Sequence, residues 1–300
     1  MSTPTTRLVD LRPDLSITLT EAGSGRPVLV LHGGGGPFTV AGIGNHLAAT
    51  MHTITPTHPG WNGTDRPDWF SGISDIAQAY LDYLGSNKLR DVLVVGSSLG
   101  GWIGAEMAVR DDAGCISGLI LIDAVGVDVD GEPVRDFFAL DARGVAEYSY
   151  HDANRFYVDP ATVSEEQAAR QRANMATMRS VAGEPYMHDP TLLDSLGRIT
   201  IPVLVIWGDS DRIVTPAYGA AYAAAFADGR LEIVRDAGHL PQIEQPASTF
   251  ALIDRYVSDQ ADQTTSGRSR AGECRVRFAT APPTFRSSIR LDKKLGEQSF

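Results

Sequence analysis

The stretch GSSLGG, residues 96–101, places a serine at the point where a predicted strand turns into a predicted helix. The apolar run at residues 92–95 precedes it, and the helical pattern GGWIGAEMAVR follows it. Glycines permit the crowding of backbone at a sharp turn, but such a turn does not by itself require serine. Residues 96–100 fit the pattern G-x-S-x-G, in which the serine oxygen stands exposed as a nucleophile and the helix amides face a developing oxyanion. The pattern therefore predicts that Ser98 attacks a carbonyl group.

A serine hydroxyl is a weak nucleophile at neutral pH and needs a histidine base oriented by a carboxylate. Downstream, GDSDRIVTP offers Asp209 and Asp211 after one apolar run, and DAGHLPQ offers His239 after the next. Serine proteases of other folds carry these three residue types in other orders along the chain. Asp123, at the end of another apolar run, is an alternative acid, and Ser97 is expected to form a structural hydrogen bond.

The elements that must position these residues form an alternating pattern. LSITLTEAG, PVLVL, MHTITP, DVLVVG, GLILID, IPVLVIWG and RLEIV are strand patterns, and helix-like patterns separate most of them. One of these, SGISDIAQAYLDYLG, has a serine cap and a closing Gly85. The alternation predicts an α/β fold with a mostly parallel central sheet flanked by helices.

The alternation of strand and helix patterns stops between residues 128 and 199. No buried strand is visible there, and SEEQAARQRANMATMRSVAG is strongly helical. We expect residues 1–127 and 200–258 to form the core, and residues 128–199 to form a helical cap, or lid, inserted between two strands. Aromatic and methionine side chains of this insertion are expected either to pack on the core or to line an apolar pocket. Residues 259–300 are polar and aperiodic and are predicted to form a disordered tail.

Five segments, HGGGGP, HPGWNGTDRP, GSSLGG, GDSDRIVTP and GHLPQIEQP, occur in an order and spacing that resembles the α/β-hydrolase superfamily, in its capped serine hydrolase and esterase branch. The resemblance covers roughly residues 10–258. It implies the α/β-hydrolase fold, and it selects Asp211 over Asp209, because the acid of such relatives follows the strand-ending glycine by three residues. It also implies an oxyanion hole made by the backbone N–H groups of Leu99 and Gly34, with Gly35 as the alternate second donor. His32 is implied to order that glycine loop.

The predicted activity is hydrolysis of a small or medium carboxylic ester with an apolar portion, through an acyl-enzyme and without a cofactor or metal. One alternative is carbon–carbon bond hydrolysis of meta-cleavage-type diketones, since such relatives share the glycine-rich loop and the cap. They commonly carry tryptophan after the catalytic histidine, where this chain has Leu240; Arg170, Arg172 and Arg179 could still meet a substrate carboxylate. A second alternative is a ligand receptor of the same fold that does not turn over its ligand.

Composition excludes other classes. The formal net charge of −11 and a pI near 5.0 disfavour a nucleic-acid partner. Cys115 and Cys274 form no metal-binding or disulfide pattern, and five further histidines show no metal-ligand spacing. No apolar run approaches the roughly 20 residues that span a bilayer, so we expect a cytoplasmic protein without membrane contact, which could form a homodimer.

Overall fold

An eight-stranded sheet organises the chain in the computed structural model, which describes residues 3–271. The strands lie in the order β1-β2-β4-β3-β5-β6-β7-β8; β1 with β2 and β2 with β4 are antiparallel, and every other neighbouring pair is parallel. The predicted mostly parallel sheet is therefore confirmed. The strands are β1 (Thr5–Arg12), β2 (Leu15–Ala22), β3 (Pro27–Leu31), β4 (His52–Pro56), β5 (Val92–Ser97), β6 (Ile116–Ile122), β7 (Val203–Gly208) and β8 (Gly229–Val234).

Helices connect most of the parallel strands and cover both faces of the sheet. The α-helices are α1 (Ala41–Leu47), α2 (Ile73–Ser86), α3 (Leu99–Arg110), α4 (Ala142–Ser149), α5 (Ala153–Phe156), α6 (Glu165–Ala182), α7 (Leu192–Ser195), α8 (Pro216–Ala225), α9 (Pro241–Glu244) and α10 (Pro246–Ala271). Short 3-10 helices lie at Pro37–Val40, Phe137–Ala139, Pro160–Thr162 and Leu196–Arg198.

Successive side chains of a strand point to opposite faces of the sheet, so alternate residues of the central strands contribute to two separate apolar layers, one on each face. On one face, strand residues such as Leu31, Val94 and Leu121 pack with α2, α3 and α8. On the other face, residues such as Val30 and Val95 pack with α1 and the first part of α10. Strands buried on both faces read as continuous apolar runs, which is why the sequence revealed them.

The segment between β6 and β7, residues 128–199, contains α4 to α7 and is called the inserted segment below. Helices α4, α5 and α6 begin with side-chain caps: Asp141 accepts from Gly144 N, Asp152 from Arg155 N, and Ser164 from Gln167 N. These helices lie between β6 and β7, which are neighbours in the sheet. Residues 1–257 form one compact unit that includes it.

Three details differ from the sequence analysis. The N-terminal stretch forms β1, an edge strand whose largely exposed pattern carries little apolar periodicity. Helix α2 is capped at Gly72, with the Asp75 side chain accepting from the Gly72 N–H, and it continues through Gly85. Helix α10 continues to Ala271, beyond residue 258, where the core was expected to end. The remainder of the predicted tail, residues 272–300, lies outside the described residues.

Among the residues that the structure describes, no helix combines the length and the apolar composition needed to cross a membrane.

Candidate active site

Ser98 occupies the tight connection between β5 and α3, with φ of 54° and ψ of −118°. A non-glycine residue in this conformation is strained, and surrounding contacts must hold it there. The Ser98 N–H donates to Ile122 O at 2.9 Å. A Cβ atom on Gly96 would lie 2.2 Å from Gly100 O, and one on Gly100 would lie 2.2 Å from Leu31 O. Both positions therefore require glycine so that the turn can present the serine.

Three side chains from three loops meet at this turn. Ser98 Oγ lies 2.8 Å from His239 Nε2, and His239 Nδ1 lies 2.8 Å from Asp211 Oδ2. Because a carboxylate only accepts, Nδ1 carries the proton and Nε2 is free to accept from the serine hydroxyl. Asp211 Oδ1 accepts from the backbone N–H groups of Ile213 and Val214, at 2.8 and 3.2 Å. Asp211 and His239 are buried.

The other candidate residues fall elsewhere. Asp209 is exposed and accepts from the Ser210 hydroxyl, so it does not reach the histidine. Ser97 is fully buried and its Oγ accepts from Gln242 Nε2 at 3.0 Å, a structural hydrogen bond. Asp123 is fully buried and lies near the histidine but is not the carboxylate bonded to Nδ1. Burial raises the pKa of Asp123 well above its usual range, and the charge of Asp211 raises it further.

The glycine loop after β3 lies against the serine. A Cβ atom on Gly33 would stand 3.1 Å from Ser98 Cβ and 3.6 Å from Ser98 Oγ. Within the described part of the chain, the N–H groups of Gly34, Gly35 and Leu99 donate to no protein acceptor, whereas the Gly36 N–H closes a turn on Gly33 O. Backbone N–H groups without a protein acceptor, next to a serine nucleophile, are the kind of donor that can bind an oxyanion.

A buried network of neutral rings orders this loop. His58 N donates to His32 Nε2 at 3.0 Å, so His32 carries its proton on Nδ1 and donates to Gly33 O. His58 Nε2 donates to His32 O, and His58 Nδ1 accepts from the Tyr80 hydroxyl at 2.7 Å. Trp61 Nε1 donates to Gly34 O at 2.8 Å. Protonation of His32 at Nε2 would remove the acceptor of the His58 N–H, and protonation of His58 at Nδ1 would force the Tyr80 hydroxyl to accept instead of donate.

This network predicts a loss of stability in acid. Burial lowers the pKa of His32 from 6.5 to about 4 and lowers the pKa of His58 well below 6.5. Between pH 6.5 and 4 these two histidines bind protons in the unfolded chain but stay neutral in the folded chain. The free energy of unfolding should therefore fall as the pH falls. The slope is up to about 1.4 kcal/mol per pH unit for each histidine. Denaturant unfolding measured at several pH values tests this.

The matched variants for that experiment are His58→Gln and His188→Gln. Removing His58 should reduce the acid slope of the free energy of unfolding by up to about 1.4 kcal/mol per pH unit. His188, a partly exposed histidine of the inserted segment, controls for the general effect of a histidine-to-glutamine change. Equal slopes in the wild type and His58→Gln would contradict the assignment of a neutral buried histidine.

The inserted segment is hydrogen-bonded to the loop that carries Asp211 and to the loop that carries His239. His239 N donates to Ser149 O at 2.7 Å, and Arg212 N donates to Tyr148 O at 3.2 Å. A Cβ atom on Gly238 would lie 2.3 Å from Ser149 O, so only glycine allows this close approach. The end of α4 is therefore part of the framework that positions Asp211 and His239.

A buried carboxylate reinforces that framework. Glu244 Oε2 accepts from Gly238 N at 2.5 Å and from His151 N at 3.1 Å, and its Oε1 accepts from Asp152 N at 3.2 Å. These backbone donors belong to the histidine loop and to the inserted segment, so one carboxylate joins the two.

Helix α6 closes over the other side of the site. Asn174, which is buried, exchanges hydrogen bonds with Asn62, accepting from its N–H at 2.8 Å and donating to its Oδ1 at 3.0 Å. Thr177 donates to Gly60 O at 2.9 Å. A Cβ atom on Gly34 would lie 2.2 Å from Met178 Sδ, which places this methionine directly on the glycine loop.

The three arginines of α6 that could meet a substrate carboxylate have other partners. Arg170 and Arg172 form ion pairs with Glu166 and Glu165, at 3.6 and 2.6 Å, on the exposed face of the helix. The Arg179 guanidinium stacks over the Phe138 ring, 4.1 Å from its centroid.

Asp123, Asp211 and His239 each offer one ligand atom within 4.8 Å of the others, the single group of this kind in the described part of the chain. Both ring nitrogens of His239 and both oxygens of Asp211 are already used in hydrogen bonds. A metal ion would have to break these contacts, so the arrangement fits a hydrogen-bonded triad better than a cation site.

Sequence analysis missed two residues that hold the site together. His58 was given no role, although it lies in the HPGWNGTDRP segment that carries the family resemblance, and that location was the available signal. Glu244 follows His239 by five positions, but an isolated glutamate usually lies on the surface. Nothing in its local pattern indicated burial.

Comparison with known proteins agrees with this architecture. The chain is 27% identical over 250 residues to a 2-hydroxy-6-oxo-6-phenylhexa-2,4-dienoate hydrolase of Burkholderia cepacia, with 76% of this chain and 86% of that protein covered. It is 21% identical over 268 residues to a monoacylglycerol lipase of Xenopus laevis, covering 79% of this chain and 77% of the lipase. The solved structure of a serine hydrolase involved in carbazole degradation matches with a TM-score of 0.70 at 21% identity, covering 85% of this chain and 99% of that one.

A family model described as the alpha/beta hydrolase family matches residues 28–252. The matched range runs from β3 through the Ser98 turn and the inserted segment to the His239 loop and the start of α10. On this match, together with the sheet order, the chain belongs to the alpha/beta hydrolase family.

Proposed function

We propose that this protein is a serine hydrolase that cleaves a small or medium carboxylic ester through an acyl-enzyme. The observation that carries the proposal is the continuous pair of 2.8 Å contacts from Ser98 Oγ to His239 Nε2 and from His239 Nδ1 to Asp211 Oδ2. This is the geometry in which a histidine can take the serine proton while a carboxylate holds its tautomer.

In the first half of the reaction, Ser98 Oγ bonds to the ester carbonyl carbon as its proton passes to His239 Nε2. The carbonyl oxygen becomes an oxyanion, and the donors proposed for it are the N–H groups of Leu99 and Gly34, with Gly35 as the alternate to Gly34. Removing one such donor typically costs about 3 kcal/mol of transition-state stabilisation. The imidazolium then protonates the leaving alcohol as the carbon–oxygen bond breaks, and the acyl group stays on Ser98.

In the second half, His239 Nε2 takes a proton from water, whose oxygen attacks the acyl carbon. The intermediate collapses, Ser98 Oγ recovers the proton from His239, and the carboxylic acid leaves. Asp211 keeps its negative charge throughout and stabilises the imidazolium in both halves. The chain's own side chains and backbone amides supply each of these proton and charge movements.

A substrate with an apolar portion is supported by the surroundings of the site. Met178 of α6 lies against Gly34 of the glycine loop, and Trp61 Nε1 donates to Gly34 O. Methionine adapts its shape to apolar groups of different outline. The resemblance to a monoacylglycerol lipase, named for an ester substrate, supports the same reaction class.

Carbon–carbon bond hydrolysis of a dienoate is the second candidate, and its support is the relative named as a dienoate hydrolase. The contacts of α6 do not favour it, because Arg170 and Arg172 are exposed and paired with glutamates. A substrate carboxylate near Ser98 would need a cation directed into the site.

The experiment is a comparison of short nitrophenyl esters with a dienoate on the purified full chain, together with labelling by a serine-directed phosphonate. We expect ester turnover, little dienoate turnover, and one phosphonate adduct that maps to Ser98. Faster dienoate than ester turnover would replace the ester assignment with the second candidate. An unlabelled chain with a bound ligand and no turnover would favour a receptor.

A further inference from the structure

Asp123 is a buried acid that the proposed reaction does not use. It follows β6 directly, has φ of 44°, and exposes none of its surface to solvent. Its Oδ1 accepts from Gly208 N at 2.9 Å. Its Oδ2 is also buried and has no hydrogen-bond partner among the described residues. A buried carboxyl oxygen without a donor is costly if the group is charged, and this cost calls for an explanation.

The groups that face Asp123 come from each neighbouring loop. Asp211 lies on the loop after β7 and His239 on the loop after β8, with atoms of all three side chains within 4.8 Å of one another. The charge of Glu244, on α9, also raises the pKa of Asp123. Asp211 and Glu244 are both acidic, so the charges around Asp123 oppose its ionisation.

Hydrogen bonds decide which of the two aspartates is charged. Asp211 accepts three N–H groups, from His239 Nδ1, Ile213 N and Val214 N, and such donors favour the carboxylate form. Within residues 3–271, Asp123 accepts a hydrogen bond only from Gly208 N. Two adjacent carboxyl groups do not both ionise near neutral pH, so one proton stays on the pair, and it belongs on the group with fewer donors.

We propose that Asp123 is a positioning residue that keeps its proton and donates a hydrogen bond from Oδ2 to the Asp211 carboxylate. This role rests on the proposed function, since it concerns the acid of the Ser98–His239–Asp211 triad. The bond satisfies the orphan oxygen of Asp123 and gives Asp211 a fourth donor. It steadies the carboxylate that orients His239 and makes it less ready to accept the imidazole proton.

The variant Asp123→Asn tests the protonation state. An asparagine can accept from Gly208 N through its carbonyl and donate to Asp211 through its amide, as the protonated acid does. We therefore expect kcat/KM within about threefold of the wild type and an acid limb of the pH profile within about 0.3 units. If Asp123 were ionised, the substitution would remove a negative charge beside His239 and move that limb down by about one unit or more. Such a shift would overturn the proposal.

The variant Asp123→Leu, of similar shape, tests the hydrogen bond without changing the proposed charge. We expect kcat to fall about tenfold with KM nearly unchanged, because the residue does not touch substrate. The acid limb should rise, since Asp211 with one donor fewer attracts the proton of His239 more strongly. A leucine variant that folds and matches the wild type in kcat and in pH profile would overturn the proposal.

A spectroscopic measurement keeps the test independent of activity and of folding defects in the leucine variant. The infrared difference spectrum of wild type against Asp123→Asn at pH 8 should contain the carbonyl band of a protonated carboxylic acid. A carboxylate band in its place overturns the proposal. If Ser98 takes no phosphonate label while the acid band is present, the failure lies in the proposed function and not in the state of Asp123.

Discussion

Replacing Ser98 with alanine should lower kcat/KM for a nitrophenyl ester by about 10⁴- to 10⁶-fold, the range seen when a triad nucleophile is removed. Ser98 Oγ is the only hydroxyl of the described residues that is hydrogen-bonded to His239 Nε2, because the neighbouring Ser97 Oγ is bonded to Gln242 instead. Steady-state kinetics and intact mass after phosphonate treatment measure the effect: both turnover and adduct should disappear.

The matched control is Ser97→Ala, one residue away. This substitution removes the buried hydrogen bond between Gln242 Nε2 and Ser97 Oγ, and it should lower the free energy of unfolding by about 1 kcal/mol. Ester turnover should stay within about threefold of the wild type, and the adduct at Ser98 should persist. If Ser98→Ala retained substantial turnover while Ser97→Ala lost it, the nucleophile assignment would be wrong.

Replacing Asp211 with asparagine should lower kcat by about 10³- to 10⁴-fold. Asp211 Oδ1 accepts from the N–H groups of Ile213 and Val214, so the asparagine carbonyl must occupy that side. Its amide then faces His239 Nδ1 and donates to it. The histidine is forced into the tautomer that carries its proton on Nε2, which cannot accept from Ser98.

The comparison variant is Asp209→Asn, because Asp209 has the same residue type in the same loop. It is exposed and accepts from Ser210 Oγ, not from His239, so kcat should stay within about twofold of the wild type. Kinetics on both proteins, with thermal unfolding as a check on folding, separate the two acids. A large loss in Asp209→Asn with little change in Asp211→Asn would contradict the structure of the loop.

The local sequence pattern was sufficient to predict those parts of the site whose backbone conformation is set by residues close together in the chain. The turn at Ser98 was visible because glycines at positions 96 and 100 are needed wherever backbone lies about 2 Å from where their side chains would stand. The central strands were visible because burial on both faces selects continuous apolar runs. The edge strand β1 was missed for the converse reason, since most of its residues are exposed.

The choice between the acids was not contained in the residues alone. Asp209 and Asp211 differ by two positions in one loop, and only the resemblance selected Asp211 before the structure placed its carboxylate against His239. A loop conformation depends on contacts with distant segments. Here these include Arg212 N to Tyr148 O, across 64 residues of chain.

By itself the sequence determined that a serine stands at a strand-to-helix turn in a parallel sheet, with a histidine and candidate acids on later loops, because period and glycine placement are local properties. Only the tertiary structure decided that His32 and His58 are both buried and uncharged, that His58 helps to order the glycine loop, and that Glu244 joins the histidine loop to the inserted segment. It also decided that Asp123 lies beside Asp211. Burial and charge state depend on neighbours far away in the chain, and a residue's type and spacing do not encode them.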